Sequence, residues 1–213
     1  MQTRFFVGVD LGQRHDPTAL AMVAREEHVT NEIDAATRER VVDVRYLVGG
    51  VRRLKLGTPY TEQVEEIARI VVALPPEGQA AVVVDATGVG APVVELLRQQ
   101  LGSRPLVPVI FTGGDTARYD AGFWRVPKKD LVHGVMVLLQ QGQLRISGKS
   151  PHAPLLIQEL TSMRLRITPE GNAGYAAWRE GEHDDLVFAL ALACWRARRT
   201  ERRPLGERRP LFW

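Results

Sequence analysis

Two apolar runs that each end in an aspartate constrain the fold of this sequence more than any other feature. Residues 4–9 lead into Asp10, and residues 80–84 lead into Asp85. Short runs of this kind, rich in Val, Phe and Ala, are typical of buried β-strands. Open α/β sheets place their chemistry at the ends of strands. If the two strands are neighbours in one sheet, we expect the two carboxylates to lie side by side.

The other periodicities predict a mixed α/β chain. Residues 41–48 alternate between apolar and polar side chains, as a half-exposed strand does, and residues 61–74 change to the period of an amphipathic helix. Residues 112–126, rich in Gly, Asp and Arg, are interpreted as a surface loop. Further strands are predicted at 18–24, 106–111, 144–146, 164–168 and 173–178, and further helices at 91–101, 127–141, 154–163 and 184–198. In this interpretation the first two strands form a hairpin, and helices return later strands to the same sheet.

Length and cysteine content limit the architecture and the compartment. A chain of 213 residues can build one sizeable core and is too short for two comfortable domains, so one domain is predicted over residues 1–198. The single cysteine, Cys194, excludes an intramolecular disulfide and favours a reducing cytoplasm. No secretory signal is visible, and the opening apolar run is far shorter than the roughly 20 residues of a membrane span.

Positive charge is concentrated at the end of the chain. The net charge is only +3, which is weak evidence for nucleic-acid binding, but residues 196–213 carry seven arginines against two glutamates. Residues 199–213 are therefore predicted to be a basic, flexible tail. Such a tail is either a solvated end or an arm that contacts phosphates or a partner. The apolar residues 211–213 favour docking, since they gain little in free solution.

A third acidic site stands at the start of the last predicted helix, in the order His183, Asp184, Asp185. Any one of these acids alone is more typical of a turn or a helix cap. A terminal helix packed across the sheet, however, brings this pair towards Asp10 and Asp85. Carboxylates that converge there raise one another's pKa values, and a divalent cation resolves the conflict. Hard oxygen ligands suit Mg²⁺ or Mn²⁺, and two such ions about 4 Å apart cleave phosphodiesters.

The segments around these acids resemble the nuclease domain of phage terminase large subunits, the motors that package viral DNA and then cut it. The similar segments are residues 8–12, 16–20, 84–94, 126–131, 142–146 and 183–191. Together they span about residues 4 to 195 in the family's order. The resemblance implies an RNase H-like fold, with a mixed sheet of five or more strands flanked by helices. The order of the predicted elements agrees with that fold.

The resemblance also implies a function: cleavage of double-stranded DNA by a two-metal-ion endonuclease with little sequence preference. It assigns Asp10, Asp85 and one of the pair Asp184 and Asp185 to the metals. Either member of that pair can be the closer ligand. Asp16 matches a further acid of the family and would be an outer or second-metal ligand. A phage or prophage protein in the cytoplasm of a bacterial host is the setting that the resemblance implies.

Basic and histidine side chains near the acids complete the candidate site. Lys128 and Lys129 match the family's middle segment and would face DNA. Arg118 and Arg125 lie in the predicted loop and are expected to guide the duplex through phosphate contacts. The histidines His15 and His183 stand beside acids in the sequence, where they could transfer protons or hold metal ligands in place.

One departure from the family is large. Packaging proteins carry an ATPase domain ahead of the nuclease, whereas this sequence contains no G-x-x-x-x-G-K-[ST] motif. The chain is therefore interpreted as an excised domain or as a stand-alone protein. A separate terminase ATPase or a portal would be its partner, beside DNA itself.

Other functions stay open on the sequence alone. Residues 10–12 and 85–90 resemble the two phosphate loops of actin-like and sugar-kinase-like ATP-binding proteins, although those proteins close two domains on the nucleotide. A non-catalytic DNA-binding module of the same fold is a second alternative. A Holliday-junction resolvase would share the metal site. Stabilisation by Mg²⁺ or Mn²⁺ without a response to ATP would separate the nuclease from the kinase-like alternative.

Overall fold

The structure is a computed structural model that describes residues 1–12, 16–75, 80–88, 90–167, 173–176 and 183–200. This part of the chain contains ten strands and five helices. The strands are β1 (Gln2–Asp10), β2 (Ala19–Ile33), β3 (Arg40–Arg53), β4 (Ala81–Asp85), β5 (Leu106–Thr112), β6 (Arg118–Asp120), β7 (Phe123–Pro127), β8 (Leu144–Ile146), β9 (Arg164–Ile167) and β10 (Ala173–Ala176). The helices are α1 (Tyr60–Val72), α2 (Gly90–Leu101), α3 (Lys128–Gln140), α4 (Ala153–Ser162) and α5 (Asp185–Arg199).

Eight of these strands form one mixed sheet, in the order β6-β7-β5-β4-β1-β2-β3-β8, and β9 pairs with β10 in a separate hairpin. The first three strands are antiparallel neighbours, as the sequence predicts. Strand β4 runs parallel to β1, with Val9 beside Val84. Asp10 and Asp85 are the next residues along each strand. The prediction that the two acidic strand ends lie side by side is therefore confirmed. The sheet has eight strands, more than the predicted minimum of five.

Both faces of the sheet are buried. On one face the side chains of alternate strand residues, such as Val7 and Val82, pack with α1 and α2. On the other face they pack with α5, beside which lie α3 and α4. Because strand side chains alternate between faces, Gly8 and Asp10 belong to the α5 face. The position of α5 therefore decides what meets Asp10.

Helix α5 is buried on nearly all sides. Twelve of its 15 residues are buried, from Asp185 through Ala197. A helix that is apolar all round needs cover all round, which the sheet supplies on one side and α3 and α4 supply on the other. A Cβ at Gly8 would overlap the carbonyl oxygen of Ala189, so the helix backbone lies directly against β1. This close approach sets the first turn of α5 at the end of the strand that carries Asp10.

The prediction of a loop at 112–126 is wrong over its second half. Strands β6 and β7 form a hairpin there, and β7 adds to the sheet parallel to β5. The turn between them places Ala121 and Gly122 at positive φ, 49° and 86°. Val126 is fully buried, and the ring of Trp124 lies 5.4 Å from that of Trp195. A five-residue strand between polar, glycine-rich segments is too short to show its period in the sequence.

Strands β2 and β3 are longer than the predicted 18–24 and 41–48. They pair with each other as far as Ile33 and Arg40, where most of their side chains are exposed. No helix within the described ranges is long and apolar enough to cross a membrane. The predicted basic tail lies mostly outside the described residues. Arg199 is still part of α5, and its guanidinium lies over the rings of Trp124 and Trp195.

Candidate active site

The first two acids stand side by side at the ends of β1 and β4. Asp10 is half-buried, and Asp85 is 8% exposed. Asp85 accepts a hydrogen bond from the backbone N–H of Thr87 at 2.8 Å, which fixes its carboxylate at the start of the turn before α2. Gly88 completes that turn at a φ of 80°, a conformation that glycine adopts without strain. Strand pairing and one local hydrogen bond thus place both carboxylates.

Neither carboxyl group has an ordinary pKa. Burial raises the pKa of Asp10 well above its usual range, and the charges of Asp85, Asp185 and Asp184 raise it further, while Lys128 lowers it. Burial raises the pKa of Asp85 to about 6, against the opposing effects of the Thr87 hydrogen bonds and Lys128. A bound cation relieves both the burial of a negative charge and the repulsion between neighbouring carboxylates.

A cleft of about 560 Å³ opens above these two acids. It brings together all of the predicted aspartates and one of the predicted lysines. Its lining consists of Asp10, Leu11, Gly12, Asp16, Pro17, Tyr60, Asp85, Thr87, Gly88, Phe111, Lys128, Asp184, Asp185 and Phe188. Six stretches of the chain that are separated in sequence therefore share one surface.

The two acids at the start of α5 have different surroundings. Asp184 is the residue before the helix, is half-buried, and makes no capping hydrogen bond with its side chain. Asp185 is only 3% exposed. Its two carboxylate oxygens accept hydrogen bonds from Arg53, one from Nε at 2.8 Å and one from Nη2 at 2.9 Å. Asp184 thus faces the cleft with its oxygens unused for capping, whereas Asp185 is held from behind.

Arg53 and Glu159 lie behind Asp185, outside the cleft lining, and no sequence pattern predicted either of them. Arg53 forms an ion pair with Glu159 as well as with Asp185. Burial, and then the charge of Asp185, raises the pKa of Glu159 to about 7, while Arg53 lowers it. The other oxygen of Glu159 accepts the backbone N–H of Val187 at 3.2 Å. A charged residue at the end of a half-exposed strand, such as Arg53, is usually solvated. The sequence therefore does not predict this cluster.

The segment after β1 brings Asp16 to the cleft. Asp16 is exposed, and its Oδ1 lies 3.5 Å from Nδ1 of His183, which is itself 3.9 Å from Oδ1 of Asp185. Buried Gln63 in α1 donates to the carbonyl oxygen of Gly12 at 2.8 Å and accepts the hydroxyl of Thr18 at 2.7 Å. These bonds tie both ends of the segment to α1. His15, the other predicted histidine, lies outside the described residues.

The predicted DNA-contacting residues separate into two groups. Lys128 lines the cleft, and its Nζ lies 4.0 Å from the centroid of the Phe188 ring. Lys129 instead pairs with Asp115. Arg118 and Arg125 are cross-strand neighbours on the β6–β7 hairpin, where Arg125 pairs with Asp120 at 3.1 Å. Only Lys128 of the four is part of the cleft wall.

The residues of the cleft fit a hard divalent cation by their chemistry. Five carboxylates line it, and hard ions prefer oxygen ligands. Within the described ranges, no three His, Cys, Asp or Glu side chains are already gathered at metal-binding distance. Repulsion between like charges keeps these carboxylates apart. Arg53 also binds Asp185 from the side of Asp185 that faces away from the cleft. The donor set is therefore suitable, and a cation is the group that would draw it together.

Comparison with known families and proteins agrees with this geometry. The family model described as the terminase RNase H-like domain matches residues 7–196. The large terminase subunits of Thermus phage G20c and Thermus virus P23-45 are each 29% identical over 129 residues, which is 61% of this chain and 23% of theirs. The region that matches is therefore less than a quarter of the length of those relatives.

Solved structures share the fold. The large terminase nuclease from thermophilic phage G20c with bound magnesium has a TM-score of 0.58 and 22% identity, over 91% of this chain and 81% of that one. The human cytomegalovirus terminase nuclease domain has a TM-score of 0.55 and 16% identity, over 91% and 82%. A nuclease-domain mutant of the large terminase subunit of bacterial virus Sf6, with manganese, has a TM-score of 0.58 and 13% identity, over 91% and 88%.

Proposed function

This chain belongs to the terminase RNase H-like family, and from that premise we propose that it is a metal-dependent endonuclease that cuts double-stranded DNA. The observation that carries the proposal is the meeting of five aspartates in one cleft, where burial and then the charges of Asp85, Asp185 and Asp184 raise the pKa of Asp10. Related nuclease domains have been solved with magnesium or manganese, which supports a divalent cation here.

The acids would divide the work of holding two Mg²⁺ or Mn²⁺ ions. Asp10 and Asp85 supply adjacent carboxylates from the sheet, and the pair Asp184 and Asp185 supplies carboxylates from the helix above. Asp16, which is exposed and lines the same cleft, would make an outer or second-ion contact. When bound, such ions activate a water and stabilise charge on the leaving oxygen of a phosphodiester.

Cationic groups would orient the DNA backbone. Lys128 is the first residue of α3, so its ammonium group and the positive end of that helix act together on a phosphate. Lys129, Arg118 and Arg125 lie outside the cleft and would contact the duplex farther from the reacting bond. His183, between Asp16 and Asp185, is the histidine placed to hold or transfer a proton.

The setting proposed for this activity is the cytoplasm of a phage-infected or lysogenic host. The sequence has no P-loop motif, so ATP-driven translocation would come from an ATPase outside the residues described here. That ATPase and a portal are the proposed partners. The cutting reaction needs neither for its chemistry.

Cleavage of supercoiled and linear plasmid DNA tests the proposal. We expect cutting with Mn²⁺ or Mg²⁺ and none with EDTA. Asp85→Asn should lower the rate by about a hundredfold or more, because a metal ion contributes several kcal/mol to phosphoryl transfer. Asp43→Asn, an acid of β3 that pairs with Arg45 away from the cleft, is the matched control and should match the parent. Equal cutting by the Asp85 variant would contradict the assignment.

A melting experiment addresses the ATP-binding alternative. Mn²⁺ or Mg²⁺ should raise the melting temperature of the parent and not that of Asp85→Asn. ATP without metal should leave both unchanged. Stabilisation by ATP alone would favour the kinase-like alternative instead.

A further inference from the structure

One row of residues across the sheet connects Arg53 with the first acid. Asp10 pairs with Ala19 across β1 and β2, and Ala19 pairs with Arg53 across β2 and β3. Paired residues on neighbouring strands point to the same face, so Arg53 lies on the face that α5 covers. Strands are about 4.8 Å apart, which sets Arg53 roughly 10 Å from Asp10 along this row. The start of α5 lies between the two.

The contact between Arg53 and Asp185 has the geometry of a fork. Two guanidinium nitrogens donate to the two oxygens of one carboxylate, at 2.8 and 2.9 Å. The side chains are 18% and 4% exposed, so water competes weakly for the pair. A bidentate contact of this kind fixes the rotation of a carboxylate and not only its position.

Glu159 completes the cluster from α4. One of its oxygens pairs with Nη2 of Arg53, and the other accepts the backbone N–H of Val187 in the first turn of α5. Strand β3, helix α4 and helix α5 therefore meet at a single guanidinium. Two carboxylates share one arginine there, and removing that arginine leaves two buried carboxylates without their partner.

We propose that Arg53 and Glu159 are positioning residues for the acids at the start of α5. Arg53 sets the orientation of the Asp185 carboxylate at the cleft wall, and Glu159 sets Arg53 and anchors the first helical turn. Asp184, the residue before that turn, is thereby held facing the cleft. This inference rests on the proposed function, because a positioning role requires a metal site to position.

Arg53→Lys tests the fork, and Arg52→Lys is its matched control. Lysine keeps the charge but offers a point contact in place of two parallel donors. Arg52 is the adjacent residue on the opposite face, where it pairs with Glu66 of α1. We expect Arg53→Lys to raise the Mn²⁺ concentration for half-maximal cleavage by about tenfold or more, the usual range for groups that orient metal ligands. Arg52→Lys should stay within about twofold of the parent.

Hydrogen exchange supplies a readout without metal or DNA. In the metal-free protein, Arg53→Lys and Glu159→Ala should speed exchange of the backbone amides at the start of α5, including that of Val187. Glu159→Gln keeps an oxygen acceptor and should restore most of the protection. Arg52→Lys should leave these amides unchanged.

The outcomes separate the two claims. A parent that binds Mn²⁺ and cuts DNA, with an Arg53→Lys variant of equal Mn²⁺ dependence, would overturn the positioning role alone. Faster exchange without any change in Mn²⁺ dependence would also overturn it, since the cluster would then only stabilise the fold. A parent that neither binds Mn²⁺ nor cuts DNA would overturn the proposed function, and the positioning role with it.

Discussion

The two faces of the central sheet are both apolar over most of their area but differ at the end where β1 and β4 finish. The face under α1 and α2 is lined by Val, Leu and Ile, and its ion pairs, such as Arg52 with Glu66, lie at the solvent-exposed side. The face under α5 carries Asp10 and Asp85 at its end and meets a further acidic pair from the helix. Neighbouring residues on one strand can therefore serve stability and chemistry separately, and substitutions should separate the two.

Asp10→Asn should give the largest difference between activity and stability. The cleavage rate should fall by about a hundredfold or more, because the variant loses a carboxylate shared by the metal site. The metal-free protein should melt at the same or a higher temperature, since a half-buried charge repelled by three neighbours is removed. Plasmid cleavage and calorimetry on one preparation provide both values. A variant that melts well below the parent would show that Asp10 stabilises the fold.

Leu97→Ala should give the reverse result on the other face. Leu97 of α2 is fully buried, so the substitution leaves a cavity and should lower the free energy of unfolding by about 2–5 kcal/mol. The cleavage rate of the folded protein should stay close to that of the parent. Denaturant unfolding measures the first quantity and cleavage at low temperature the second. A large loss of activity in the folded variant would mean that the two faces are coupled.

Lys128→Met and Lys129→Met compare two adjacent cations. Lys128 lines the cleft, and its replacement should lower cleavage about tenfold through loss of a charge-assisted phosphate contact. Lys129 pairs with Asp115 on the surface, and its replacement should change cleavage by about twofold or less. Rates measured at several DNA concentrations test the pair. Equal losses would assign both lysines to general DNA binding.

The pH dependence of stability should be a smaller effect. The pKa of Asp85 is raised from its usual 3.8 to about 6, so its protonated form favours the folded state. The metal-free parent should therefore lose stability relative to Asp85→Asn as the pH rises from about 4 to 7. Added Mn²⁺ should reverse this trend, because it binds the ionised carboxylate. Parallel curves for the two proteins without metal would contradict the shift.

The sequence predicts the parts of the site that depend on local order along the chain. Asp10 and Asp85 could be placed together because each follows an apolar strand, and Asp184 and Asp185 because they precede an apolar helix. Arg53 could not be found in this way, because its role depends on its register opposite Ala19 and on a helix 106 residues away in the chain.

The sequence also could not predict that Lys128 lines the cleft whereas Lys129 pairs with Asp115 on the surface. Both start the same helix, and only the direction in which α3 leaves the sheet decides which of them faces Phe188. Strands β6 and β7 were missed because they are only three and five residues long and lie among Gly, Asp and Arg. In each case the missing information is a contact between distant segments, which local composition does not contain.

The burial of α5 has a consequence for synthesis of the protein. This helix follows every other described element in the chain, yet it fills the centre of one sheet face and brings the last two acids of the cleft. A nascent or truncated chain that lacks it has an uncovered sheet and an incomplete acidic set at the same time. Completion of the core and assembly of the acidic cleft are thus one event. On the proposed function, a chain that lacks α5 has no complete acidic cleft with which to cut DNA.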